Sequence, residues 1–293
     1  MSDALQIKMQ ELQTQLEVKI QAVIGPSFIE KAAAHSLLAP CKRIRPLLLL
    51  LGADALQVDI QKAWAPAIAL ELIHTYSLIH DDLPCMDDDD LRRGRPSLHK
   101  VYGDAIATLS GDYLLTHAFE IIASSKQLSE SEKVAIIQLF ANKSGSEGMI
   151  GGQVMDLQSE EKQISLEELQ TMHELKTSAL FEAAFEAVAI INENKDREKL
   201  KTIGKKLGLC FQITDDILDL IGNDESLGKP SGSDLKNKKS TYVQILGLEK
   251  AEQLATELHN NIIDLLKDLS LENSCIPQVC HKVLHRLETA KSL

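Results

Sequence analysis

Aromatic residues are scarce in this sequence and paired cysteines are missing. Phe, Trp and Tyr make up 4% of the 293 residues, whereas Leu, Ile and Ala abound, which suits helix-on-helix packing better than sheets. The five cysteines, Cys41, Cys85, Cys210, Cys275 and Cys280, are odd in number and scattered, with no CxxC pair. That argues against a disulfide framework or a structural zinc site and for a reducing compartment. The longest aliphatic run, residues 47–51, is far too short to span a bilayer. The amphipathic, charged N-terminus lacks the apolar centre of a signal peptide, so a soluble cytoplasmic protein is expected. Positive charge is in the minority: the net charge of −12 speaks against an extended nucleic-acid surface, which needs a basic stripe. There is no P-loop, kinase signature or dinucleotide fingerprint, and no recognisable Ser-His-Asp pattern or nucleophilic cysteine context. Sustained strand alternation, fixed-period repeats and low-complexity linkers are also missing.

What is present is helical periodicity. Apolar positions recur at three and four through residues 5–24, 44–56, 63–80, 105–123, 133–140, 166–191, 200–221 and 251–269. Ser165, followed by acids at Glu167 and Glu168, reads as an N-cap. Pro26, Pro46, Pro66, Pro84, Pro96 and Pro230 punctuate near the inferred boundaries. The expected fold class is all-α: one helical bundle, with residues 1–293 as a single domain. Apolar residues at 44% provide a core of ordinary size for such a chain.

Two aspartate clusters end long apolar helical stretches. The first is Asp81-Asp82-Leu83-Pro84-Cys85-Met86-Asp87, continuing to Asp90; the second is Asp215-Asp216-Ile217-Leu218-Asp219. In the second, helical spacing puts all three carboxylates on one face. Neighbouring carboxylates about 6 Å apart repel by about 3 kcal/mol at an effective dielectric near 20, and a multivalent cation relieves that. All-oxygen ligation points to a hard ion, and Mg²⁺ shared with substrate phosphates is the commonest such arrangement; a solvated acidic surface is the plainer alternative. Basic residues supply the other half. Lys42, Arg43 and Arg45 precede an expected helix start at Pro46, where arginine forks suit phosphate. Arg92, Arg93 and Arg95 follow the first cluster as phosphate ligands or as counter-charges. His74 lies about two turns before Asp81. A glycine-rich polar segment after the second cluster leads to Lys236, Lys238 and Lys239, either a closing lid or an ordinary surface loop. The residues alone therefore indicate Mg²⁺-dependent chemistry on phosphorylated substrates.

Taken together, these pieces resemble the trans-isoprenyl diphosphate synthases, and within them the bacterial farnesyl diphosphate synthases most closely. The resemblance is carried by Lys42-Arg43-Ile44-Arg45-Pro46, by Ile73-His74-Thr75-Tyr76-Ser77-Leu78-Ile79-His80 running into the first cluster, and by Arg92-Arg93-Gly94. It continues in Gly152-Gln153, in His173 to Thr177, in Phe211-Gln212 before the second cluster, and in Gly228-Lys229 with Gly232 and Asp234. The likeness implies a prenyl-synthase bundle around a deep central cavity. Asp81, Asp82, Asp87, Asp215, Asp216 and Asp219 would hold two or three Mg²⁺ ions on an allylic diphosphate, completed by Arg92, Lys176, Lys229 and Lys239. Lys42, Arg45, His74 and Arg93, with Arg43 as a further phosphate neighbour, would hold isopentenyl diphosphate. Lys176, Thr177 and Gln212 would face a carbocation.

By the same likeness Tyr76, five residues before Asp81, would form the floor of the elongation cavity beside small Ser77, which favours a farnesyl product over geranylgeranyl. A homodimer without nucleic-acid or membrane-spanning partners is implied. Pro40-Cys41 stands where the family commonly has glycine, and a Cys41 thiol activated by neighbouring cations is expected. The rivals are a geranylgeranyl diphosphate synthase, a terpene cyclase, a non-catalytic partner subunit of this fold, and an acidic metal-binding protein. A cyclase typically replaces the second aspartate motif, and a silent subunit usually loses aspartates or cations; neither change is seen in this sequence. A metal buffer has no use for the spaced Lys42, Arg45, Lys176 and Lys229.

Overall fold

In the computed structural model, residues 3–160, 162–193, 196–221 and 240–291 are described, and the helical periodicity is realised along nearly all of them. The chain groups into two units, Met1–Ile137 and Gln138–Leu293. In the first, helices α1 (Asp3–Ala22), α2 (Phe28–Leu37), α3 (Ile44–Ala55) and α4 (Ile60–Asp81) precede the strands β1 (Leu91–Arg92) and β2 (Arg95–Pro96); α5 (Leu98–Tyr102) and α6 (Asp104–Ala123) follow. Helix α4 is apolar around most of its circumference and packs against α2, α3 and α6, as an all-round hydrophobic helix must. Helix α3 buries Leu47, Leu48, Leu49, Leu50 and Leu51, each worth about 1.5–3 kcal/mol relative to exposure.

Local signals start the helices. Ser27 and Glu30 form a reciprocal capping box on α2, and Asp59 caps α4 through the Gln61 N–H at 3.0 Å. Pro66 does not mark a boundary as expected; it sits inside α4, in the second turn, where the missing N–H falls near the helix start and tertiary packing holds the helix.

Helix α7 (Glu130–Ser144) leads into the second unit, which continues with α8 (Met149–Ser159) and α9 (Leu166–His173). Ser165 caps α9 with Glu168 as its reciprocal partner, as the sequence indicates. The helix expected over 166–191 is interrupted: a π-helical turn at Glu174–Ser178 separates α9 from α10 (Ala179–Ile191). Helices α11 (Arg197–Ile221), α12 (Tyr242–Leu246), α13 (Leu248–Asp268) and α14 (Ile276–Lys291) complete the unit. Helix α11 is the hub, touching α10, α13, α14 and the π-turn. Gly152 on α8 permits close approach to that turn, because a Cβ there would stand 2.2 Å from the Lys176 backbone nitrogen. Among the described residues no helix is long and apolar enough to cross a membrane.

Candidate active site

Helix α4 delivers the first aspartate cluster. It ends at Asp81, with Asp82 as the C-cap, and Pro84 prevents its continuation. The chain then folds back, so that the Asp87 N–H donates to the Asp81 carbonyl at 2.9 Å and the Asp88 N–H to the Leu83 carbonyl at 3.2 Å. A turn, not helical spacing, thus returns Asp87 to Asp81. The two-residue hairpin that follows has Arg93 at φ 55° and Gly94 at φ 73°, the primed turn that matches strand twist. It aims Arg92 at Asp82: Nε and Nη2 donate to Oδ1 at 2.8 and 2.5 Å, and Nη2 also reaches Asp89 Oδ2 at 2.7 Å. Burial pushes the Asp82 carboxyl up to about 6 against the pull of Arg92. Burial also opposes charge on Arg92, but Asp82 beside it holds its pKa above the ordinary value.

The basic group before α3 is divided by the fold. Lys42 is exposed. Arg45 Nη1 lies 3.2 Å from His74 Nε2; arginine has only donors, so Nε2 is an acceptor and His74 is neutral. Burial and then Arg45 and Arg93 hold the His74 pKa well below its ordinary range. Arg43 does not present its charge to a phosphate as expected. It occupies a left-handed backbone conformation and is buried, with Nη1 2.6 Å from Glu71 Oε1, Nε 3.1 Å from Glu17 Oε1, and Nη2 bonded to the Leu37 carbonyl. Burial disfavours its charge, yet Glu71 raises its pKa above that of an ordinary arginine.

Arg93 Nη2 shares the same Glu71 oxygen at 3.3 Å. Glu71, absent from the sequence expectations, is therefore the anchor of this group; its signal was a lone acid in the apolar run of α4. The activated thiol expected at Cys41 is also corrected, since burial first and Glu71 second raise its pKa and outweigh Arg93 and Arg43. Arg92, Arg93 and Arg95 line a small recess with His35, Thr75 and Asp82. Tyr76 is buried with its ring 5.8 Å edge-on from His80, and its hydroxyl has no hydrogen-bond partner among the described residues. Ser77 turns its hydroxyl back to the His74 carbonyl at 2.9 Å.

In the second unit α11 carries the second cluster, and the π-turn meets it. Thr177 donates to Gln212 Oε1 at 2.8 Å, Gln212 Nε2 donates to Asp216 Oδ1 at 2.9 Å, and the Tyr242 N–H donates to Asp216 Oδ2 at 2.8 Å. The π-turn re-aims Lys176 and Thr177 away from simple helical register. Lys176 Nζ pairs with buried Asp156 Oδ2 at 2.6 Å. Asp219 is buried beside Ile217 and Leu218, whereas Asp215 is partly exposed and pairs with Arg286 of α14 at 2.7 Å. Asp156 and Arg286 were not foreseen; Asp156 follows Gly152-Gln153 closely enough to have been considered with it, and Arg286 resembles any charge on an amphipathic helix. Lys229 and Lys239 lie outside the described residues, as does the glycine-rich segment.

Among the described residues no three His, Cys, Asp or Glu side chains converge into a ready-made metal cage. Mg²⁺ is a hard ion that takes oxygen ligands and is usually held by one or two carboxylates together with substrate phosphates. The oxygen-only donor sets of both clusters suit it.

A match to the family Polyprenyl synthetase spans residues 26–275. The chain belongs to this family. The farnesyl diphosphate synthase of Bacillus subtilis is 42% identical over 279 residues, covering 94% of each chain. A chloroplastic geranylgeranyl pyrophosphate synthase of Capsicum annuum is 45% identical over 238 residues, 80% of this chain and 64% of the relative. Among solved structures, a Helicobacter pylori geranyltransferase complexed with magnesium and isoprenyl diphosphate superposes with a TM-score of 0.84 at 32% identity, covering 100% of this chain and 99% of its own. The all-α prenyl-synthase fold is thereby established for this polyprenyl synthetase.

Proposed function

We propose that this polyprenyl synthetase is a Mg²⁺-dependent prenyltransferase that condenses isopentenyl diphosphate with dimethylallyl and geranyl diphosphate to give farnesyl diphosphate. The observation that carries the reading is the hydrogen-bond line Thr177–Gln212–Asp216, which sets oriented neutral dipoles beside the second aspartate cluster. Such dipoles stabilise a carbocation without capturing it. Thr177 spends its proton on Gln212, so its oxygen lone pairs remain for positive charge.

Bound Mg²⁺ would neutralise the departing diphosphate as the allylic C–O bond breaks. Asp81, Asp82 and Asp87 in the first unit, and Asp215, Asp216 and Asp219 in the second, would hold the metal, two or three ions in all, Asp82 and Asp216 each also serving a partner inside the protein. Arg92, Lys176, Lys229 and Lys239 would complete the allylic diphosphate site. Lys42, Arg45, His74 and Arg93 would hold isopentenyl diphosphate; neutral His74 orients the Arg45 fork and adds no charge of its own. The new bond joins the allylic cation to the isopentenyl double bond, where positioning supplies much of the rate. The proton then lost passes to the released diphosphate, so no protein nucleophile is required.

Buried Tyr76 supports farnesyl as the end product; the Capsicum relative favours geranylgeranyl diphosphate synthesis as the second reading. In this proposal both units act as one synthase domain in a cytoplasmic homodimer, which light scattering tests by mass. The deciding experiment supplies isopentenyl diphosphate, Mg²⁺ and either dimethylallyl or geranyl diphosphate, with products read by mass spectrometry. Farnesyl diphosphate from both starters is expected. A longer product transfers the assignment to the second reading, and no product from either starter refutes both. Asp81→Ala and Asp215→Ala are each expected to lower turnover by orders of magnitude with helicity unchanged; near-normal rates would remove the metal assignment.

A further inference from the structure

The family match ends at residue 275, and α14 lies beyond it, yet α14 places a side chain on the second aspartate cluster. Arg286 Nη2 stands 2.7 Å from Asp215 Oδ1. Its guanidinium carbon lies 5.1 Å from the centroid of Phe211, one turn before Asp215 on α11, and Phe181 backs that ring at 5.5 Å. The guanidinium is thus seated on an aromatic shelf, with Nη2 at ion-pair distance from one carboxylate oxygen but making no hydrogen bond to it. Its Nη1 is buried and has no hydrogen-bond partner among the described residues.

Asp215, Asp216 and Asp219 share a helix face, so without a metal their mutual repulsion needs a counter-charge, and Arg286 supplies it. A divalent ion ligated by Asp215 would sit about 2.1 Å from the same kind of oxygen, against the guanidinium. We propose that Arg286 is the resident counter-ion of Asp215 and competes with divalent metal for it, so that metal entry without diphosphate is penalised. This rests on the reading of Asp215 as a metal ligand. When diphosphate arrives with the metal, the displaced guanidinium finds phosphate oxygens as new partners, and the penalty disappears. The last helix therefore biases the second cluster toward binding metal together with its anion rather than alone.

The test is a Mn²⁺ titration of the full chain, with free Mn²⁺ read by electron paramagnetic resonance, in the absence and presence of inorganic diphosphate. Asp215→Asn identifies the component belonging to the second cluster. Without diphosphate, Arg286→Gln is expected to tighten that component by about three- to fivefold, the upper scale of a partly exposed ion pair. With diphosphate the gain vanishes or reverses. Arg286→Lys keeps the charge and stays within about twofold of wild type, which separates competition from a loosened α14. Unchanged or weaker metal binding in Arg286→Gln, or equal tightening with and without diphosphate, overturns the proposal. Mn²⁺ binding that ignores Asp215→Asn overturns the metal reading of Asp215 and this inference with it.

Discussion

Replacing Glu71 is expected to damage the first unit more than replacing any exposed acid around it. Glu71 and Arg43 each expose 1% of their side chains and approach to 2.6 Å. In Glu71→Gln, the carboxylate left to buried Arg43 among the described residues is Glu17, itself 43% exposed, with the carbonyls of Leu37 and Ala39 as neutral acceptors. Removing one partner of a buried ion pair costs about 3–5 kcal/mol, because the surviving charge stays buried. Glutamine retains a carbonyl acceptor, so the lower end, about 3 kcal/mol, applies; Glu71→Ala belongs at the upper end. For a chain of this size, about 3 kcal/mol lowers Tm by about 5 °C. The comparison is Glu17→Gln, whose exposed carboxylate is worth about 0–1 kcal/mol. Thermal and urea unfolding would measure both. Arg93 loses its Glu71 contact as well, so KM for isopentenyl diphosphate should rise more than KM for geranyl diphosphate. A Glu71→Gln protein within about 1 kcal/mol of wild type, below the buried-pair range, would refute the argument. So would equal costs for Glu71→Gln and Glu17→Gln.

Three further outcomes follow from the geometry. Folded His74 has a pKa below the ordinary 6.5, so the unfolded chain takes up that proton first as pH falls; its contribution to stability is full above about pH 6.5 and declines below it. Wild type should therefore lose more stability between pH 7.5 and 5.5 than His74→Gln in urea unfolding (pH values approximate), and parallel losses would contradict this. Gly152→Ala would push a Cβ to 2.2 Å from the Lys176 nitrogen and 2.6 Å from its Cα, backbone that cannot yield cheaply. A loss of at least about 2 kcal/mol is expected in thermal unfolding, and an unchanged Tm would show that the π-turn shifts freely. Tyr76→Ala should lengthen the products seen by mass spectrometry, whereas Tyr76→Phe, removing a buried hydroxyl without a partner, should be neutral or stabilising. An unchanged spectrum in Tyr76→Ala places the floor elsewhere.

By itself the sequence determined the features that repeat or act locally. Three- and four-residue periodicity located the long helices because each buries one face against neighbours, and Ser165 announced α9 because a cap needs only three residues. The aspartate clusters and the arginines around them were legible because like charges at the ends of apolar helices require compensation. Helices α2, α8 and α14, and the short α5 and α12, escaped notice: the capping box at Ser27 and Glu30 was there to be read, while Gly151 and Gly152 disguised α8. Tertiary structure alone decided which charges face inward. It buried Arg43 against Glu71, kept the Cys41 thiol protonated, joined Thr177 to Gln212 across 35 positions of sequence, and set Arg286 on Asp215. The physical reason is that a residue's charge type is written in the chain, whereas its partner, its burial and hence its pKa depend on segments brought together only when the helices pack.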